Sequence, residues 1–446
     1  MLKTINGEDR EIKLKDLFKT WWPIAISWVL LALEPLFFSS VISRYPNAKV
    51  NLAAYGNVAW MLPIVIQSPI MLIQAASATL CKDKETFYKL RKFANWMSVG
   101  LTAIHVLIAV TPLYFFVVRT ILNVPEEVVG VARQGLIFMI PWAGSISYRR
   151  FHQGILVRFG HTRRMSFGTI LRLISDVACV ALLALIPGIN GLAVATAAQG
   201  FSVFLEGAYV GIVTQPVIKK ELKSNNGAEI ISWKSFAKYY TPFMLNSIIF
   251  ILYNPMNSAA MGRLPFALAS LATWPVVNGF AHMVNNLGQA SREVTLTYIR
   301  HEGAFPVIRR FCLIVGVISL SILSLFCFTP LFDWYLKVVV SLPSDLLQYA
   351  KTTLMLLIPI GLTFSLSNMF TGLIAFSGKT ISLLTSTIVM LVVVFAGLMA
   401  AIFLQPFEGI YVVAGVYLIA SLVQLGWLYW TNRDSVANLE YERVAP

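Results

Sequence analysis

The sequence predicts an all-α polytopic membrane protein, with twelve transmembrane helices in two six-helix lobes, and three observations carry that expectation. Of 446 residues, 57% are hydrophobic and only 13% are charged, a composition outside the range of ordinary water-soluble domains. Lysine and arginine collect in alternate connecting segments, and short motifs recur 218 residues apart.

A bilayer core needs about 20 apolar residues per helix. Twelve segments qualify, centred in 21–43, 55–80, 94–118, 128–148, 166–187, 191–215, 239–262, 267–291, 311–330, 349–370, 382–404 and 410–430. With the N-terminus placed in the cytoplasm, 27 of the 35 basic residues fall in cytoplasmic segments, 149–164 among them. Six fall on the opposite side (Arg44, Lys49, Arg119, Arg263, Lys337 and Lys351), while Arg133 and Arg172 lie within spans. The positive-inside rule then puts both termini inside. The net charge of +14 is thereby read as a topology signal, and nucleic acid is not expected as a partner. Cys81, Cys179, Cys312 and Cys327 lack metal-ligand spacing and predict free thiols. The first apolar segment has no small-residue cleavage pattern, so no removable leader is expected.

The chain reads as doubled. Gly154 matches Gly372, Gly160 matches Gly378, Thr162 matches Thr380, and Ile140-Pro141 matches Ile358-Pro359, all at one offset. Near the same offset FKTWWP (18–23) faces FAKYYTP (236–242), and Glu34-Pro35 faces Asn254-Pro255. Matches in order imply an internal repeat. The expected organisation is a cytoplasmic N-terminal segment (1–20), an N-lobe of helices 1–6 (21–217), a polar linker (218–234), a C-lobe of helices 7–12 (235–430) and a cytoplasmic tail (431–446). Six spans per lobe give parallel repeats, an architecture of secondary transporters. The four glycines Gly154, Gly160, Gly372 and Gly378 are placed in the cytoplasmic turns after spans 4 and 10, where they suit a helix C-cap and close helix approach.

The second copy of the motif ends in SGKT, which invites a phosphate-loop reading. That loop needs four residues between its glycines and a preceding strand, whereas here five residues intervene and the flanks are transmembrane. Without an ATPase module, transport would run on a gradient. Patterns for a metalloprotease or a serine hydrolase are also missing, so an enzyme is not expected.

Ionisable groups within spans are costly and demand a partner or an aqueous cavity. Glu34, Asp176 and Glu206 are mid-span, all in the first half, and with Asn57 and Gln199 they form the candidate ion-coupling set. Glu34 and Glu206 have no basic neighbour in their own spans and are the favoured proton sites, whereas Asp176 follows Arg172 by one helical turn. That spacing allows an intrahelical ion pair as readily as a coupling role. The candidate substrate cavity comprises Arg172, Asn254, Arg292 and a polar stripe along span 8, Asn278, His282, Asn285, Asn286 and Gln289. Such a stripe inside a membrane helix reads as a water-facing surface.

LAAYG (Leu52 to Gly56), HQGIL (His152 to Leu156), SDV (Ser175 to Val177), and His282-Met283 followed by Arg292 and Val294 together resemble the multidrug/oligosaccharidyl-lipid/polysaccharide (MOP) exporter superfamily. That superfamily includes the multidrug and toxic compound extrusion (MATE) exporters. The nearer resemblance is to the progressive ankylosis (ANK) transporter family. It implies a V-shaped pair of six-helix bundles working by alternating access, and export of small phosphorylated or carboxylated anions of the nucleotide, citrate or pyrophosphate type. MATE relatives couple to protons or sodium through acids on helices 1 and 5, to which Glu34 and Asp176 approximately correspond. The expected protein is therefore a secondary anion exporter, monomeric, in the plasma (inner) membrane. It would need no bound cofactor beyond H+ or Na+, and only a small-molecule substrate and lipids as partners. A proton- or sodium-coupled antiporter of cationic compounds and a lipid-linked oligosaccharide flippase are the alternatives.

Overall fold

The computed structural model describes residues 12–224, 231–299, 301, 303–377, 380–405 and 407–441, and all regular structure among them is helical. The first half holds α1 (Leu14–Ile42), α2 (Ala48–Leu80), α3 (Lys84–Val110), α4 (Glu126–Phe138), α5 (Ile140–Arg158), α6 (Thr162–Leu183) and α7 (Gly191–Glu221). The second holds α8 (Trp233–Ile251), α9 (Tyr253–Met261), α10 (Ala267–Gln289), α11 (Ser291–Tyr298), α12 (Ala304–Phe328), α13 (Leu347–Leu357), α14 (Ile360–Ser377), α15 (Thr380–Leu404) and α16 (Gly409–Tyr441).

Helix starts follow capping chemistry. Asp83 accepts the Thr86 backbone N–H at 2.7 Å to open α3, and Asn190 accepts that of Ala193 at 2.7 Å to open α7. Proline interrupts where its missing N–H removes a rung of the helix. The first half breaks at Met139 ahead of Pro141 and the second at Ile358-Pro359. Within α2 a π-turn over Tyr55–Ala59 and a 3₁₀ turn over Ser68–Ile70 interrupt the α-helix.

Nine helical stretches among the described residues are long and apolar enough to cross a membrane. Expected spans 4, 7 and 8 fall on α4–α5, α8–α9 and α10–α11, which are not among them. Arg149, Arg150 and Gln153 dilute α5, the Asn278–Gln289 stripe dilutes α10, and a break at Leu252 shortens α8. Large apolar side chains lie bare on the outside, Ile174, Leu185, Ile212 and Phe403 among them. Exposed apolar surface on this scale marks a lipid-facing wall. The chain is thus an integral, multi-pass membrane protein.

The repeat is visible in the backbone. Asn47 and Phe266 both take left-handed φ, as do Asn123 and Ser341, a conformation uncommon for residues other than glycine. The members of each pair are 219 and 218 positions apart. A π-turn follows the third helix of the first half at Phe116–Ile121 and recurs at Tyr335–Val340.

The halves grip each other at the end of the bundle opposite the start of α1. Arg44 donates to the carbonyls of Val339 (2.8 Å) and Val338 (3.2 Å) in the second half's π-turn. In return Arg263 donates to the Thr120 carbonyl (2.7 Å) in the first half's π-turn, and Asn123 donates to Gly262 (2.7 Å). Ser40 adds a bond to Val339, and Lys49 pairs with Asp345. Deeper in, α1 and α2 lie on α10, and α8 lies on the 3₁₀ turn of α2. A Cβ at Gly56 would sit 2.5 Å from Pro275, so only glycine allows that crossing. The largest buried cluster runs across the seam, from Leu36, Phe38 and Tyr55 to Leu271, Phe280 and Leu354.

Three expectations need correction. The segment 149–164 is not a cytoplasmic connection throughout: α5 runs to Arg158, and Arg149 is buried within it. Gly154 and Gly372 lie inside α5 and α14 rather than in turns. Each lets a neighbouring helix approach, because a Cβ at Gly154 would be 1.8 Å from the Ser77 Oγ and one at Gly372 would be 2.8 Å from the Arg292 carbonyl. Gly160 does occupy the turn after α5, with φ +75°. Gly378 lies outside the described residues, as does Lys379 of SGKT. Finally, α7 continues to Glu221 into the stretch expected as linker.

Candidate functional site

The α6 helix presents two faces. Phe167, Ile170, Ile174 and Val177 point outward and are exposed, while Arg172, Ser175 and Asp176 point inward and are buried. This is a helix polar toward protein and apolar toward lipid. Opposite it, α7 offers Gln199, Ser202 and Glu206 on one face, α5 offers Arg149 and Gln153 one turn apart, and α1 brings Glu34.

The guanidinium of Arg172 bridges two carboxylates from different helices. Its Nη2 lies 2.7 Å from Glu34 Oε2, and its Nη1 lies 3.5 Å from Glu206 Oε2. Arg149 forms a short ion pair with the same Glu206 oxygen. The other Glu206 oxygen accepts from Gln153 (3.3 Å) and Thr169 (3.4 Å). Gln199 donates to Glu34 Oε1 at 3.2 Å and accepts from the Tyr55 hydroxyl at 3.4 Å. Asp176 accepts a short bond from Ser202 at Oδ1, while its Oδ2 is buried with no hydrogen-bond partner among the described residues. Arg150, next in the chain, turns away and donates to the Met71 carbonyl at 2.7 Å.

Five of the named candidates therefore converge: Glu34, Asp176, Glu206, Gln199 and Arg172. Of the two roles left open for Asp176, the intrahelical ion pair is not formed: Arg172 reaches α1 and α7 while Asp176 turns to Ser202. Glu34 and Glu206 have no basic neighbour in their own spans, as expected, but cations reach both from other helices. Arg149, Gln153, Ser202 and Tyr55 belong to the cluster but were not singled out from the sequence. The Arg149–Gln153 spacing of one turn, within the polar run YRRFHQG, was the signal available. Three of the motifs that carried the family resemblance, LAAYG, HQGIL and SDV, contribute Tyr55, Gln153 and Asp176.

The remaining candidates are dispersed. Asn57 ties the halves together, donating to Leu271 O (2.7 Å) and accepting from Ser258 (2.9 Å), and it does not join the acids. Asn254 is half-buried and makes only a long bond to Ile251 O, 3.4 Å. The α10 stripe splits. Asn285 and Asn286 are buried, Asn286 donating to Trp28 O at 3.2 Å, while Asn278 and Gln289 are half-buried and His282 is exposed. The stripe is thus not a uniform water-facing surface. Arg292 pairs with its neighbour Glu293 at 2.9 Å on α11. His152, within HQGIL, is buried and bonded to Tyr148 O at 2.9 Å. All four cysteines are free.

No protein-family model and no curated protein matches this sequence. Solved structures do match the fold. An inward-facing multidrug resistance MATE-family transporter of the MOP superfamily aligns over 94% of this chain and 98% of its own, with TM-score 0.65 and 13% identity. The lipid II flippase MurJ, in an inward closed conformation, aligns over 94% of this chain and 89% of its own, with TM-score 0.68 and 14% identity. The eukaryotic MATE transporter AtDTX14 aligns over 97% and 100%, with TM-score 0.64 and 15% identity. The protein therefore has the fold shared by MATE transporters and MurJ. At these identities the likeness concerns architecture alone.

Proposed function

We propose that the protein is a secondary active transporter of the ankylosis type in the plasma (inner) membrane. It exports a small organic or phosphorylated anion by alternating access between its two lobes, with proton coupling at the α1/α5/α6/α7 cluster. The observation that carries this reading is the make-up of the cluster. Two arginines and three carboxylates share one buried site built from four helices, and Arg172 bridges two of the acids. Arginine presents a fork suited to carboxylate or phosphate, and buried charges away from water are retained where they serve a pathway or a relay.

Charge counting assigns the proton. Arg172 pairs with Glu34 and Arg149 with Glu206, which leaves Asp176 without a cation of its own. An uncompensated carboxylate within a membrane protein is costly, so a proton on Asp176 makes the cluster neutral. A specific observation also supports a second reading, antiport of cationic compounds: the unpartnered Asp176 Oδ2 suits a cation as well as a proton.

Efflux from proteoliposomes under imposed proton and sodium gradients separates the two. Citrate, pyrophosphate and nucleotides should move, and cationic dyes should not. Gradient-dependent efflux that persists in the E34Q/D176N/E206Q triple variant would remove the coupling role of the acids. Movement of dyes alone would favour the second reading.

A further inference from the structure

We infer that Glu34 is an internal stand-in for the substrate: its carboxylate occupies the anion-binding fork of Arg172, and protonation of Glu34 hands that fork to a carboxylate or phosphate of the transported anion. This rests on the anion-exporter reading above and specifies how its site is loaded.

Five features of the geometry point to Glu34 rather than Glu206 as the exchangeable partner. Glu206 is fully buried and held by Arg149, Arg172, Gln153 and Thr169, whereas among the described residues Glu34 is held by Arg172 and Gln199 alone. The shorter of the two Arg172 contacts is the one to Glu34, 2.7 Å against 3.5 Å. Side-chain exposure is small but non-zero at Glu34 and Arg172, 6% and 7%, and zero at Glu206, so the pair lies at the edge of the cluster. The Glu34–Arg172 contact also borders the seam, because α1, which carries Glu34, packs along α10 of the second half. Glu34 immediately precedes Pro35, whose missing N–H weakens α1 at that point.

The charge balance follows the same logic. The charged and titratable groups facing Glu34 are Arg172, Arg149, Glu206, Asp176 and Tyr55. With Asp176 protonated and Glu34 ionised, the two arginines are matched by two carboxylates. A proton on Glu34 leaves one positive charge in excess, centred on Arg172, whose remaining partner is the 3.5 Å contact to Glu206. An incoming anion restores neutrality. A ligand that must wait for its site to be vacated binds with an affinity reduced by the vacant fraction, so removing the Glu34 charge should tighten anion binding.

The test measures binding of radiolabelled pyrophosphate and citrate to the purified full-length protein in lipid nanodiscs, alongside proteoliposome efflux of the same anions. Wild-type binding should strengthen as the medium is acidified through the ordinary carboxylate range, from about pH 7 to about pH 4. E34Q should bind at least about tenfold tighter than wild type at the alkaline end, with a flattened pH profile. R172Q should lose binding at every pH, and E34D, which keeps the charge, should keep the pH dependence. Wild-type binding that does not strengthen with acid overturns the inference and needs no variant to fold. So does E34Q binding equal to or weaker than wild type when wild type still exports these anions, an outcome that leaves the exporter reading intact. If wild type neither binds nor moves either anion at any pH, both fall together.

Discussion

At the scale of single residues, buried ion pairs are asymmetric in their energetics: removing one member costs far more than the intact pair contributes. Arg149→Ala leaves the buried Glu206 only the 3.5 Å contact to Arg172 as a cation partner and should destabilise the protein by about 3–5 kcal/mol, read as a fall in the thermal unfolding midpoint in detergent. The double variant R149M/E206L removes both charges and should recover much of that loss. Failure to recover would mean that Arg149 contributes something beyond neutralising Glu206. Outside the membrane segments, Arg119 hydrogen-bonds Glu126 at 2.9 Å and holds its carboxyl below the usual range. The sign is that of a depressed carboxylate: the pair's contribution is present above the ordinary carboxylate value and fades as pH falls through the lowered one. Because both groups are exposed and surface ion pairs contribute little, R119A should leave the neutral-pH unfolding midpoint within error of wild type. Intramembrane ionisable residues are rare enough that Glu34, Asp176, Glu206 and Arg172 were legible from their position alone. Their pairing was not, because a sequence reports which face of a helix a residue occupies but not which helix lies opposite. Arg149 was missed for a related reason: it begins a cluster of polar residues, YRRFHQG, whose composition resembles a loop.

At the scale of elements, the repeat's first glycine, Gly154 in one half and Gly372 in the other, serves helix approach rather than turning. The Gly154 contact with α2 is the tightest of these, with a would-be Cβ 1.8 Å from Ser77 Oγ and 2.4 Å from the Gln74 carbonyl. Gly154→Ala must push α2 and α5 apart and should cost about 1–3 kcal/mol, as overpacking typically does. Gly415→Ala on α16, where nothing lies within 4 Å, should stay within about 0.5 kcal/mol of wild type. Equal effects at the two positions would refute the close-approach reading. The same contrast explains why the 218-residue repeat was readable while its meaning was partly misread. The spacing located matching backbone positions, but the motif's first glycine is set inside a helix and only Gly160 is in the turn.

At the scale of the whole molecule, twelve apolar segments were read from the sequence, and nine helical stretches among the described residues are long and apolar enough to cross a membrane. The shortfall coincides with the polar stretches of α5 and α10, where the demand for polar groups inside the protein works against the hydropathy signal, and with the break at Leu252 between α8 and α9. The crossed arginine contacts make a reciprocal prediction. Arg44→Ala should speed hydrogen–deuterium exchange in the second half's turn, residues 335–341, whereas Arg263→Ala should speed it in the first half's turn, residues 116–121. Exchange that changes only in the half carrying the substitution would rule out the crossed arrangement.

That arrangement has a further consequence. Each half supplies an arginine and receives one at the equivalent turn, so the same patch meets its own counterpart through an approximate two-fold axis. This is the geometry of an isologous dimer interface, here closed within a single polypeptide. A six-helix unit carrying both the arginine and the turn would need only a second copy of itself to satisfy both contacts, which describes a homodimer whose subunits have been fused end to end.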